Sequence, residues 1–369
     1  MSPPNILFLA EGQLGDLLLL TPAIRSFKES FPVANVTVLI LERRGSRSGN
    51  EDLISSGPPT VLSTNPHVDA IHVIRRDRLR KLSGISRLRA EFEIIRFIKA
   101  GRFDTVICTF PEDRFAIWAY LSGAGTRIGQ RSQSLSWLLS RTPDIQKCDK
   151  GVLEYYCDLV RAIGAEVESS STEYKITANA ERWADGFLRK YELTRARKVV
   201  MVHPGATGDY KIWPPERYAA LIERLSSGDD VRVLLVYGEM DKLVISEIKR
   251  YLQKQIPEVC AHNVDCFAAL LKRCSLCISN DSGPRNLAVA VGTPSLAFFR
   301  QHHDREWKVY LESETLITLQ GKESCPVCPE GVCLDKIKPG KQFGAECVRM
   351  VSVEDAVQQA QQILRFDGH

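Results

Sequence analysis

Short, uninterrupted apolar runs alternate with amphipathic ones along this chain, and that alternation restricts the fold more than any other feature. Residues 6–10 are wholly apolar, as expected for a parallel strand covered on both faces. Residues 36–41, 71–74 and 105–109 are further strand candidates, mainly apolar but carrying Thr37, His72, Thr105 and Thr109. Helical spacing lies between them, most clearly over 88–100, where Leu88, Phe92, Ile95 and Ile98 predict one buried face. Residues 17–27, 116–121, 135–139 and 153–163 are further helix candidates. After a polar stretch at 166–172 a second series begins. Its strands are predicted over 199–202, 231–237, 276–279, 295–299 and 316–319, and its helices over 216–225, 242–253, 267–272 and 284–291. A last helix is predicted over 353–364.

Strands alternating with helices predict α/β domains with parallel sheets, and 369 residues suit two of them. Ligands of such sheets bind beyond the carboxyl ends of the strands. Two such domains facing each other would place a ligand cleft between those edges. With 44% hydrophobic and 25% charged residues the composition is that of a globular protein. No run is long enough for a membrane span, and the N-terminus lacks the basic and apolar regions of a signal peptide, so a cytoplasmic location is expected. The net charge of +4 does not point to nucleic acid.

Residues 203–214, His-Pro-Gly-Ala-Thr-Gly-Asp-Tyr-Lys-Ile-Trp-Pro, join a predicted strand to a predicted helix. Glycines, the Thr207 hydroxyl and the Lys211 ammonium together suit a phosphate; an ordinary turn with a solvated lysine is the plainer reading. Residues 279–294 form a second such junction. There Asp281 or Ser282 caps a helix that begins with Gly283 and Pro284. Two phosphate-type features on one sheet edge favour a nucleoside diphosphate. Glu239 and Asp241, after the strand at 231–237, are placed for a ribose hydroxyl or for a solvated loop. In the first series, Asp16 follows the first strand and should face the crevice.

The segment from Arg75 to Arg102 holds ten basic and three acidic residues. It reads either as a solvated helix face or as a surface for phosphates or an anionic membrane. Arg44 and Arg47, after the second strand, and Arg114 and Arg127, after the fourth, extend the second reading. Aromatic residues are sparse in this stretch, which argues against stacked single-stranded nucleic acid.

Three runs carry a family resemblance: Leu14-Gly15-Asp16 with Thr21-Pro22-Ala23; His203-Pro204-Gly205-Ala206 with Lys211-Ile212-Trp213-Pro214; and Asn280-Asp281-Ser282-Gly283-Pro284 with Leu287-Ala288 and Gly292-Thr293-Pro294. With these the chain resembles glycosyltransferase family 9, the ADP-heptose:lipopolysaccharide heptosyltransferases. The resemblance implies a GT-B fold of two Rossmann-like domains. The first, over 1–170, would hold the acceptor, with Gly15, Arg44, Arg47, Arg114 and Arg127 as contacts. The second, over 171–351, would hold the nucleotide sugar, and the helix over 352–366 would pack back on the first. It further implies an inverting transfer of heptose from a nucleotide-diphosphate sugar, ADP-heptose first, to a lipopolysaccharide core or other lipid-linked glycan.

In that scheme Asp16 is the general base. Lys211, Thr207, Ser282 and Gly283 stabilise the leaving diphosphate, and Asp281 holds the turn or orients the sugar. No cofactor is required, and the enzyme would meet the inner face of the cytoplasmic membrane peripherally. The chain departs from the family pattern at Asn286, where histidine is usual, and at Arg300-Gln301-His302, where Gly-Pro-Thr is common. Arg300 can replace the lost contacts. A transferase with another sugar or acceptor, and a nucleotide-sugar-binding protein without turnover, are the alternatives.

Of eleven cysteines, seven are scattered among core elements and read as small buried hydrophobes. Cys325, Cys328, Cys333 and Cys347, within the loop 325–347, have ligand-like spacing. They read as a structural zinc or iron–sulfur site or as reduced thiols.

Overall fold

A computed structural model describes residues 4–42, 54–56, 61–131, 134–143, 151–261, 263–301, 310, 313–328 and 343–365. The chain forms two compact units, Met1–Glu173 and Tyr174–His369.

The first unit contains β1 (Asn5–Glu11), α1 (Leu14–Ser30), β2 (Asn35–Glu42), β3 (Ile54–Ser56), β4 (Ala70–Arg75), α2 (Arg76–Lys81), α3 (Gly84–Ala100), β5 (Thr105–Cys108), α4 (Asp113–Ser122), β6 (Thr126–Ile128) and α5 (Val152–Arg161). The sheet order is β3-β4-β2-β1-β5-β6. It is parallel apart from the antiparallel β3–β4 edge. Strand order reverses between β1 and β5, so the loops after these strands open the crevice where ligands of such sheets bind.

The second unit contains α6 (Ala178–Lys190), β7 (Lys198–His203), α7 (Pro215–Leu225), β8 (Val231–Tyr237), α8 (Lys242–Tyr251), β9 (Glu258–Cys260), α9 (Val264–Lys272), β10 (Leu276–Asn280), α10 (Gly283–Ala290), β11 (Ser295–Phe298), β12 (Leu316–Leu319), α11 (Glu346–Arg349) and α12 (Val353–Arg365). Its sheet, β12-β11-β10-β7-β8-β9, is parallel throughout. Read from the other edge this is the 3-2-1-4-5-6 order of a Rossmann sheet, with the switch point between β7 and β10. Register pairs Ser279 with His203 and Asn280 with Phe298. The ends of β7, β10 and β11 therefore lie side by side.

Every predicted strand is present. The three-residue β3, β6 and β9 carry no pattern of their own and were not anticipated. The helix expected over 135–139 is only a 3-10 turn, Ser136–Leu138. In α3 the buried face is Ala90, Ile94 and Ile98, while Leu88 and Phe92 are 71% and 64% exposed. The expected face was thus only partly right. Two apolar stripes share this helix, and the slimmer one packs on the sheet.

The apolar stripe of α12, Ala356, Ala360 and Ile363, enters the core of the second unit. There α12 lies on α7, and Arg224 pairs with Glu354 at 2.7 Å. Of the scattered cysteines, Cys108, Cys157, Cys274 and Cys277 are buried, and burial pushes their thiols well above the usual range. Cys260 and Cys266 are half-buried.

Trp213 closes the second core. It is fully buried, stacks on Phe298 at 4.2 Å and 14°, and meets Tyr218 edge-on at 5.1 Å. Its indole N–H donates to the Val351 carbonyl at 3.1 Å. Trp213→Ala should cost about 3–5 kcal/mol. Chemical denaturation should show that loss in the transition of the second unit alone.

Candidate active site

The loop after β7 is held from several sides. Asn280, fully buried at the end of β10, accepts hydrogen bonds from the Trp213 backbone N–H at 3.0 Å and the Tyr218 hydroxyl at 2.9 Å. It donates to the Pro204 carbonyl at 2.7 Å. One amide therefore fastens both ends of residues 204–213. The middle of the loop is fixed from the C-terminal side, where the N–H groups of Gly344 and Ala345 donate to the carbonyls of Asp209 and Tyr210 at 2.9 and 2.8 Å. Gly344 has a left-handed φ of 79°, and a Cβ there would meet the Ile212 carbonyl oxygen at 2.9 Å. A side chain at that position is excluded twice over.

This fixation presents Lys211. Its Nζ lies 2.8 Å from Asp281 Oδ2, and both side chains are largely buried. Asp281 is itself placed by its backbone N–H, which donates to the Phe298 carbonyl at 3.0 Å. Ser282 begins α10 in an extended conformation, and its hydroxyl turns back to the Asn280 carbonyl at 3.2 Å rather than capping the helix. The first N–H groups of α10, at Gly283, thus lack a side-chain cap, which is the arrangement that binds anions. Asn286 sits half-buried within the same helix. Thr207 is exposed in the loop.

Arg300, just past β11, completes this edge. It is 3% exposed, and its guanidinium lies 4.9 Å from the Tyr210 ring centroid. Its Nε and Nη2 are buried with no hydrogen-bond partner among the described residues. An unpaired buried cation is costly unless an anion joins it. Arg285, by contrast, turns inward, bonding Thr318 at 3.0 Å beneath the rings of Phe299 and Tyr310.

Asp241 is more committed than expected of a ribose ligand. It accepts from the Gly238 N–H at 2.8 Å and lies 3.7 Å from His203 Nε2. A Cβ on Gly205 would collide with its carboxylate at 2.1 Å, so Gly205 is required for this approach. Glu239 is exposed and pairs with Lys242 at 2.8 Å.

In the first unit, Asp16 lies in the first turn of α1 and Gly15 one residue before it. At the same sheet edge Arg76 pairs with Glu11 and Glu112. Neither carboxylate was singled out in the sequence. Two expected acceptor contacts have internal roles. Arg114 pairs with Glu91 at 3.3 Å and stacks on Trp118. Arg127 donates to the carbonyls of Leu138 and Ala124 at 2.9 and 2.6 Å. Arg44, Arg47, His302 and Cys333 lie outside the described residues.

Cys325 and Cys347 are buried in the second core, with Cys328 packed against it. Among the described residues no group of three or more His, Cys, Asp or Glu side chains is placed to hold a metal ion. Three of the four clustered cysteines thus lie among the described residues, in or against this core, and their reading as a metal site or as reduced thiols stays open.

Sequence reasoning missed Asn280 and Tyr210 as functional supports. A buried-strand pattern that ends on an amide was the available signal for Asn280.

Burial holds His203 below its ordinary value of 6.5, only partly offset by Asp241. The unfolded chain therefore binds a proton that the folded chain refuses. Stability from this group is complete above 6.5 and falls as pH drops below it. His203→Gln should flatten the acid loss of stability below about pH 6.5, read by denaturant titrations across pH.

A glycosyltransferase family 9 (heptosyltransferase) domain matches residues 92–336. Lipopolysaccharide heptosyltransferase 3 of Escherichia coli is 26% identical over 294 residues, covering 77% of this chain and 80% of that protein. A solved glycosyl transferase family 9 structure from Veillonella parvula superposes with a TM-score of 0.79 at 21% identity, over 99% of this chain and 98% of that one. An E. coli heptosyltransferase solved with ADP gives 0.69 at 15% identity, over 97% and 99%. The two Rossmann-like units are those of a GT-B fold, and the chain is a glycosyltransferase belonging to family 9.

Proposed function

We propose that this enzyme transfers a heptose or related sugar, with inversion, from a nucleoside-diphosphate sugar to a lipopolysaccharide core or similar lipid-linked glycan. ADP-heptose is the leading donor: an E. coli relative by fold was solved with ADP-2-deoxy-2-fluoro heptose, and the E. coli relative by sequence is a lipopolysaccharide heptosyltransferase. The observation that carries the reading is the charge arrangement at the switch point of the second sheet. Lys211 is already paired with Asp281, so by itself it brings little net charge to a diphosphate. Arg300 forms no such pair among the described residues and supplies the second cation.

In the proposed reaction the Asp16 carboxylate takes the proton of an acceptor hydroxyl. That oxygen forms its bond to the anomeric carbon as the bond from the same carbon to the diphosphate oxygen breaks on the opposite face. One displacement inverts the centre. The electron pair stays on the diphosphate, where Lys211, Arg300, Thr207 and the N–H groups at Ser282 and Gly283 receive the charge. Asp281 keeps Lys211 oriented, and Asn286 is a neutral donor toward the same group. Glu239 is the proposed ribose contact, with Asp241 shaping the turn beneath it. The acceptor would bring the enzyme to the inner face of the cytoplasmic membrane.

Asp16→Asn should slow transfer by about 10²–10⁴-fold while leaving ADP affinity unchanged in calorimetry. A variant of wild-type rate would remove Asp16 from the role of base. Calorimetry with ADP, UDP and GDP identifies the nucleotide, and absence of binding by all three would remove the donor reading. Arg300→Met should weaken ADP binding by about tenfold or more, leave adenosine binding unchanged, and raise the melting temperature of the free enzyme. A lowered melting temperature with intact ADP affinity would make Arg300 a purely structural residue.

A further inference from the structure

The basic run of the first unit separates into two populations. Arg76 and Arg114 are occupied by carboxylates inside the fold. Arg89, Arg96 and Lys99 are exposed and form no ion pair among the described residues. These three lie on α3, which turns its Ala90, Ile94 and Ile98 stripe to the sheet and leaves a second apolar stripe outside. That stripe is Ile85, Leu88 and Phe92, at spacings of three and four residues that place them on one helix face. Arg89 and Arg96 follow Ile85 and Phe92 by four residues each, and Lys99 follows Phe92 by seven, so the cations flank the same face. Every residue from 83 to 89 is exposed, so the amino-terminal half of the helix stands clear of the core.

The patch does not end with α3. This helix packs against α4, and α4 against the 3-10 turn at Ser136–Leu138. On the outside of that layer Tyr120, Leu121 and Trp137 are also exposed, Trp137 at 74%. An exposed apolar stripe bordered by unpaired cations and interfacial aromatics is the composition of a helix that lies in a lipid headgroup layer. Each side chain then has a matching environment: aliphatic carbons in the acyl boundary and guanidinium groups at the phosphates.

We infer that the outer face of α3, continued by α4, is a docking surface for an anionic lipid bilayer. The lipid-linked acceptor of the proposed function gives this docking its use, but the docking itself requires neither donor nor acceptor. A second copy of the chain is the competing occupant. Its like cations would face each other across a two-fold contact, which disfavours it at low salt.

The test uses the full chain in flotation with vesicles of phosphatidylcholine alone and with added phosphatidylglycerol. The enzyme should float with the anionic vesicles, remain largely behind with the neutral ones, and detach as salt rises. Leu88→Ser with Phe92→Ser, and separately Arg89→Glu with Arg96→Glu, should each lower partitioning by about tenfold or more. Melting temperature and ADP affinity should not change, since these side chains are outside both the core and the nucleotide edge. Failure of the wild type to float, or equal flotation of both variants, would overturn the inference. So would a concentration-dependent dimer in light scattering that the Phe92 variant abolishes. ADP binding is read separately, so loss of the donor reading would leave the flotation result standing on its own.

Discussion

The side-chain amide of Asn280 is the contact on which the second unit's site depends. It occupies the last position of a buried strand and forms hydrogen bonds with Pro204, Trp213 and Tyr218. A buried amide with unmade bonds costs about 1–3 kcal/mol per group left unpaired, so the three partners must arrive together. That requirement binds a ten-residue loop into one shape, because Pro204 opens it and Trp213 closes it. Trp213 in turn joins the ring cluster with Tyr218 and Phe298. The loop is consequently as firmly placed as the sheet beneath it, although it has almost no regular structure of its own. Preorganisation of this kind lets a lysine stabilise charge without first being ordered.

Electrostatics then divide the labour between two cations. In the resting protein Lys211 and Asp281 neutralise each other at 2.8 Å, which makes their burial tolerable. Among the described residues the guanidinium of Arg300 is met by the face of Tyr210, and a cation–π contact is worth about 0.5–2 kcal/mol, short of what an anion would supply. The free enzyme thus stores an unfavourable charge at the edge where its proposed substrate brings a negative one. This resembles a common trade in active sites, where a local penalty in the free protein becomes binding energy in the complex. The chain differs at this position from the pattern of the family it resembles, and Asn286, uncharged where histidine is usual, differs in the complementary direction. One cation is absent from α10, and another is present beyond β11.

The strands were legible because parallel strands covered on both faces are near-continuously apolar, as residues 6–10 and 276–278 are. The three-residue β3, β6 and β9 were not, since so short a strand has no periodicity to detect. The loop at 203–214 and the turn at 279–284 were also legible, through glycine, proline and capping residues at fixed offsets. Partners were not. Sequence counts charges but does not say which of them meet, so Arg76, Arg114 and Arg127 looked alike with the free arginines of α3. Their carboxylate, ring and carbonyl partners come from other elements. The partners of Asp241 were hidden for the same reason, because they are a backbone N–H three residues away and a histidine at the end of β7.

The two stripes of α3 show why a periodic signal can be right about the helix and wrong about its face. Leu88 and Phe92 are larger and more hydrophobic than Ala90, and a sequence reading turns the largest residues inward. The space between this helix and the sheet favours the opposite choice. Ala90 allows a close approach, and Ile94 and Ile98 fill the remaining gap in the core that includes Phe115 and Trp118. Turning the helix to bury Phe92 would move Ile94 and Ile98 toward water and bring Arg96 toward the sheet, at a cost greater than the gain from one aromatic ring. The outward stripe is therefore forced by packing, and in the inferred docking it is the flanking cations, unpaired among the described residues, that would favour an anionic layer over an apolar one.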